Sequence, residues 1–197
     1  MIWWTKARAV PALTATLVGT QLLGLLIGDA ELPVPALTGQ SGQFLTGHLI
    51  TLLPALLLLY GTGRGDLTGE SVACRPLRGL DTALGVTTAG AGAALALLCH
   101  LFLTTDLPLV LGRNTAGYIG LALLLCPLVG HRIAGVLLTA IPLTCAATGW
   151  AQGGHPEPWA WILHPADSGI AFTLATTTLL VGVIVMLARP ATHRKTG

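Results

Sequence analysis

Six histidines and four cysteines are the side chains of this 197-residue chain best suited to hold a metal or to act as base and nucleophile. His48 and His100 fall within apolar runs, and two histidines on facing helices can clamp a haem. His155 and His164 flank an aromatic, proline-rich segment, and two histidines in a loop can hold zinc. No carboxylate or cysteine completes a recognised ligand spacing around either pair. The plain alternative is that His48 and His100 hydrogen-bond between helices or sit near a wet interface. Cys74, Cys99, Cys126 and Cys145 show no C-x-x-C spacing, so they support neither a disulfide framework nor a cysteine zinc site. The motifs G-x-S-x-G and H-E-x-x-H are missing from the sequence, which leaves hydrolase chemistry without support. The run Gly61-Thr62-Gly63-Arg64-Gly65 lacks the lysine and the spacing of a phosphate-binding loop, so this chain cannot hydrolyse ATP by that route.

The elements that would position these residues are apolar to an unusual degree. Hydrophobic residues make up 53% of the chain and charged residues 9%, against about 25% charged in a soluble domain. Mean hydropathy is +0.76. The composition predicts an all-α, polytopic membrane protein in one domain, residues 1–197, with six spans at about 9–28, 44–61, 82–105, 114–129, 133–150 and 169–188. The first apolar core is about 20 residues long, beyond the roughly 7–15 of a signal peptide, so it reads as a retained span. Pro54 lies inside the second run, where it predicts a kink that neighbouring helices repair. Asp106 to Arg113 reads as a short turn, and Gly85, Gly90 and Gly92 as a close-packing surface of the third span.

Six spans bring both termini to one side. Lys6, Arg8, Arg64, Arg75, Arg78, Arg132, Arg189, Arg194 and Lys195 then share that side and Arg113 stands alone opposite. The excess of Lys and Arg predicts a multi-pass protein of the cytoplasmic membrane with both termini inside. Trp3 and Trp4 fall at the inner interface and Trp150, Trp159 and Trp161 at the outer one, as two aromatic belts. The net charge of +2 with no basic cluster longer than His193-Arg194-Lys195 argues against nucleic acid as a partner and leaves membrane lipids as the charged surface nearby.

Residues 62–81, TGRGDLTGESVACRPLRGLD, form the longest polar run and a cytoplasmic loop on this topology. None of the eight acidic residues lies mid-span, which disfavours a proton- or sodium-coupled carrier. Among polar span residues, His48, Thr51, Thr139, Thr144 and Thr148 are candidates for lining a path, and threonines equally bond back to their own helix carbonyls. The outer segment from Gln152 to Ser168 has too many prolines to cross the bilayer; it is either an interfacial plug or a connector.

The compact hairpin from Arg113 to Pro142, the outer segment PWAWILHPADS before the last span, and six short spans with both termini inside resemble the membrane subunits of type-2-family ATP-binding-cassette exporters. That resemblance implies export of a hydrophobic or amphipathic cargo such as a lipid, peptide or antibiotic. It implies no cofactor in this chain, ATP and Mg being bound by a partner ATPase, and a second copy or a paralogous permease. The coupling element it implies is Cys74, Arg75, Pro76, Leu77, Arg78, Gly79, Leu80 and Asp81. About eight residues precede the first span, fewer than the family's amphipathic N-terminal helix occupies. The other classes open to this sequence are a non-transporting membrane regulator or assembly partner, and a haem- or metal-dependent enzyme built on His48 and His100.

Overall fold

The computed structural model describes residues 2–28, 30–32, 44–64, 77–151 and 154–188. A short helix, α1 (Ile2–Ala7), turns at Arg8 and Ala9 into α2 (Val10–Ile27). Ala9 has φ 51, a left-handed conformation rare for a residue with a side chain, and it bends the chain where the first span begins. Pro11 follows in the first turn of α2, where its missing N–H leaves no gap. The eight residues before the first span thus hold a helix of their own. A two-residue antiparallel ribbon, β1 (Glu31–Leu32) with β2 (Phe44–Leu45), then leads into α3 (Thr46–Ile50) and α4 (Leu53–Gly63).

The break between α3 and α4 follows from Pro54. Its ring opposes the carbonyl of the residue four earlier, Ile50, and it has no N–H to offer that carbonyl. The chain tightens instead, with Leu52 N–H bonding Leu49 O at 3.1 Å and Thr51 Oγ bonding His48 O at 3.0 Å. Together α3 and α4 make one apolar stretch, Thr46–Gly63, of spanning length. The remaining helices are α5 (Leu77–Phe102), α6 (Leu107–Val129), α7 (His131–Thr148) and α8 (Gly169–Ala188), with a 3-10 turn at Trp161–Leu163 before the last. Among the described residues, six stretches are long and apolar enough to cross a membrane, which makes this an all-helical, multi-pass membrane architecture.

Four of the six spans have bounds that differ from the sequence expectation by two residues or more. The third span opens at Leu77 rather than 82, so Leu77 to Asp81 belong to its first turns and not to the loop. The fourth opens at Leu107 rather than 114, because Pro108 suits a first helical turn and the preceding Asp106 carbonyl accepts the N–H of Leu109 and Val110. Asp106 to Arg113 is therefore mostly helix, and Arg113 sits nearly two turns inside it. The second span runs 46–63, not 44–61, and the fifth 131–148, not 133–150.

Helix α6 is the axis of the bundle. It packs against α2, α4, α5, α7 and α8. Buried residues make up 61% of its most apolar window, against 22–50% in the other five spans. Its closest neighbour is α8, and glycine is the reason: a Cβ on Gly120 would lie 2.6 Å from the backbone N and Cα of Leu179, and one on Gly182 would strike the Gly120 carbonyl. The two backbones touch directly, as small residues allow where lipid offers no hydrophobic drive to association. Outward faces carry Leu26, Phe102, Val136, Phe172 and Ile184, all exposed, as a lipid-facing surface requires.

Candidate functional site

A set of polar side chains of the spans is buried, several of them on α6 itself. Arg113 is 8% exposed although it lies roughly 9 Å along the helix from Leu107 at 1.5 Å per residue. It is tolerated there because its guanidinium donates to Pro165 O and His164 O, both at 2.7 Å, and to Asn114 Oδ1 at 3.3 Å. Asn114 in turn donates to Ile162 O at 3.3 Å. The two side chains thus answer the carbonyls that end the 3-10 turn, groups that would otherwise be unpaired in an apolar setting.

The segment 154–168 is held from its other side by packing. Ala160, Trp161, Ile162 and Leu163 are buried in the hydrophobic core. Trp161 meets Tyr118 edge to face, ring centroids 5.6 Å apart, and it fills the space that a side chain at Gly117 would need. His164 bonds Glu157 O at 3.1 Å through Nε2 and Ser168 Oγ at 3.2 Å through Nδ1, so the ring donates from Nε2 and accepts the serine proton at Nδ1. Ser168 Oγ also accepts the N–H of Ala171 and caps α8. Of the two sequence alternatives, plug or connector, the geometry is that of a segment set into the bundle. Gly117→Leu is expected to expel Trp161, with the tryptophan emission of the purified protein shifting to longer wavelength; emission unchanged from wild type would contradict this packing.

The layer continues through the second and first spans. Tyr118 Oη donates to His48 O at 3.2 Å, and His48 is 4% exposed. Thr51, Asn114 and Thr115 are fully buried, with Thr115 Oγ bonding Leu111 O at 2.8 Å. Thr20 and Gln21 of α2 are also buried, and neither the Thr20 hydroxyl nor the Gln21 amide has a hydrogen-bond partner among the described residues.

The candidate ligands do not converge on one centre. His100 Nδ1 turns to the loop after α5, 3.1 Å from Thr105 O and 3.6 Å from Asp106 Oδ1. His164 has both ring nitrogens engaged as described, and His155 lies exposed. No group of three or more His, Cys, Asp or Glu that could hold a metal occurs among the described residues. Of the candidate path residues, His48 and Thr51 join the buried layer, whereas Thr139, Thr144 and Thr148 bond Val136 O, Ile141 O and Thr144 O of their own helix at 2.8 Å. Thr144 and Thr148 are on the outer surface of the bundle.

At the opposite end of the bundle, Arg8 is 2% exposed and grips Asp81 with both arms, Nε to Oδ1 and Nη2 to Oδ2, each at 2.9 Å. Its Nη1 donates to Thr62 O at 3.1 Å, and Gly61 lets the α4 backbone approach Arg8 closely, since a Cβ there would meet Arg8 O at 2.5 Å. This clamp ties α1, the end of α4 and the start of α5. Leu77, Arg78, Gly79 and Leu80 lie half-buried on the same first turns of α5 as Asp81. Cys74, Arg75 and Pro76 lie outside the described residues.

A groove of about 430 Å³ opens on the flank between α5, α6 and α8. Its walls are small side chains, among them Gly90, Ala93, Ala96, Gly112, Ala116 and Ala175, and Arg113 borders it. Gly90 has open space where a Cβ would stand, so the groove is not filled by the chain itself. The sequence marked Gly90 as a packing surface but gave no sign of Arg113 within a helix. The signal available was Pro108, which starts a helix early enough to draw Arg113 in. Replacing Arg113 by glutamine is expected to cost roughly 3 kcal/mol, since two part-buried carbonyls lose charged donors. It should also make a cysteine placed at Leu163 reactive to a maleimide. A wild-type rate of labelling in R113Q would contradict the role given to the arginine.

No protein-family model matches this chain, and no curated protein or solved structure shows significant similarity to it.

Proposed function

We propose that this chain is a non-transporting membrane protein that receives a transmembrane segment of a partner in the groove between α5, α6 and α8. The observation that carries this reading is the direction in which the polar groups face. A half-transporter that pairs with a second subunit around a path needs polar side chains on an outward face of its own. Here Thr20, Gln21, His48, Thr51, Arg113, Asn114 and Thr115 are all buried within one chain, while the exposed Thr144, Thr148 and Thr173 spend their hydroxyls on carbonyls of their own helices. The large outward side chains are apolar, and the flank offers a furrow of glycine and alanine, which suits an α-helix that packs by close backbone approach. On the charge distribution, the end with Arg8, Arg64, Arg78 and Arg132 is the cytoplasmic one, and the cytoplasmic membrane is the site of action.

A photo-crosslinking residue at Ala93, exposed in the groove, is expected to give a discrete protein adduct in intact membranes. The same residue at Val136, which is 68% exposed on α7, should give none. Gly90→Leu fills the furrow without an internal clash and should abolish the adduct while leaving the fold intact. Lipid-only adducts at both positions would rule the reading out.

The second reading is the membrane subunit of an ATP-driven exporter, and the clamp at Arg8 favours it. A push delivered to the residues before Leu77 would pass through Asp81 and Arg8 into three elements at once, as a coupling element must act. A short helix, α1, also stands where that family has its interfacial helix. On this reading a separate ATPase copurifies with the chain, and glutamate at Arg75 and Arg78 removes it.

A further inference from the structure

A second cavity, about 330 Å³, lies where α4 ends and α7 begins, and it has a different chemistry from the flank groove. Leu56 and Leu59 form its apolar wall, and Tyr60, Arg64, His131 and Arg132 its polar mouth. These helix ends are the ends of two spans, so the mouth sits at headgroup depth and the wall at the depth of the first acyl carbons. Arg64 lies over the Tyr60 ring, 5.4 Å from its centroid, which orients the guanidinium toward the cavity without neutralising it. Neither Arg64 nor Arg132 has a carboxylate partner among the described residues, and both are exposed. Gly63 lets the two helix ends come together, since a Cβ there would stand 3.2 Å from the His131 ring, and Gly135 opens the far side, with nothing within 4 Å.

We infer that this cavity binds the phosphate headgroup of an anionic phospholipid, with Arg64 and Arg132 on the phosphate and the acyl chains against Leu56 and Leu59. Two planar guanidinium forks match phosphate oxygens as no zwitterionic headgroup does with equal net gain. Basic pockets between span ends at the cytoplasmic surface are where such headgroups are held. The inference needs neither a partner helix nor an ATPase, so it stands or falls apart from both readings above.

The test is native mass spectrometry of the full chain released from mixed micelles of phosphatidylglycerol and phosphatidylcholine, with thermal stability of the detergent-solubilised protein as a second readout. Wild type is expected to retain phosphatidylglycerol selectively and to be stabilised by it. The Arg64→Gln, Arg132→Gln double variant should retain about thirtyfold less, the scale set by two interfacial basic residues. Lys6→Gln, which removes an exposed charge at the same end outside the cavity, should retain the wild-type amount. Gly135→Leu fills the cavity without removing a charge, and it should lose retention as well; it keeps the test decisive if the double variant fails to fold. Equal retention of the two lipids, equal stabilisation by inorganic phosphate or by a glutamate octapeptide, or undiminished retention in Gly135→Leu would overturn the inference.

Discussion

Gly120→Leu is expected to yield no folded protein. A leucine there must place its Cβ and three further carbons where the backbone of Leu179 stands, and backbone cannot swing aside as a side chain does. The loss exceeds the roughly 1–3 kcal/mol of ordinary overpacking and falls in the exceptional class above about 4 kcal/mol, because α6 and α8 must separate and α6 is the helix that the other spans pack on. The check is a monodisperse peak in fluorescence-detected size exclusion, present for wild type and lost for G120L. Gly90→Leu provides the contrast: the same substitution at a glycine with open space above it should leave the peak unchanged. If G120L elutes as wild type, the central crossing of α6 and α8 is wrong.

Arg8→Ala is the second large effect. It leaves the Asp81 carboxylate buried at the start of α5 without its bidentate partner and removes a donor from Thr62 O, at an expected cost of about 3–5 kcal/mol. The pair Arg8→Met with Asp81→Leu replaces both charges by apolar groups of similar reach. It should recover most of that loss, because the desolvation cost disappears together with the attraction. Unfolding in mixed micelles of rising dodecyl sulfate content measures both. Equal destabilisation of the single and double variants would mean that Arg8 acts through its packing and its bond to Thr62 rather than through the ion pair.

How much of this could be read from the chain depends on what each residue answers to. The six spans follow from length and apolar content alone, which is why 169–188 coincides to the residue and 10–27 to within one at each end. The sequence reads Asp106 to Arg113 as a short turn, whereas the fold makes most of it the first turns of α6. In the fold two carbonyls of the segment before α8, some fifty residues later, meet the Arg113 guanidinium, and no local pattern announces a partner that distant. The polar run 62–81 likewise puts Asp81 in a loop, whereas in the fold it stands in the first turns of α5 and pairs with Arg8. Thr139, Thr144 and Thr148 bond carbonyls of their own helix, the alternative that a threonine in any span carries, as Thr51 and Thr115 do. The break at Thr51 and Leu52 was legible, because Pro54 acts on the helix turn before it. The groove was not, because it is made of three helices' small residues and exists only once they cross.

The most direct measurement of the account is the water accessibility of Thr115. In a chain with Cys74, Cys99, Cys126 and Cys145 replaced by alanine, a single cysteine at Thr115 is labelled in intact membranes with a charged methanethiosulfonate, beside a control at Arg64. A polar layer enclosed within one bundle predicts no reaction at 115 while 64 reacts fully. Rapid labelling of Thr115→Cys would place water at the centre of α6, which is the mark of a transport path and contradicts an enclosed layer.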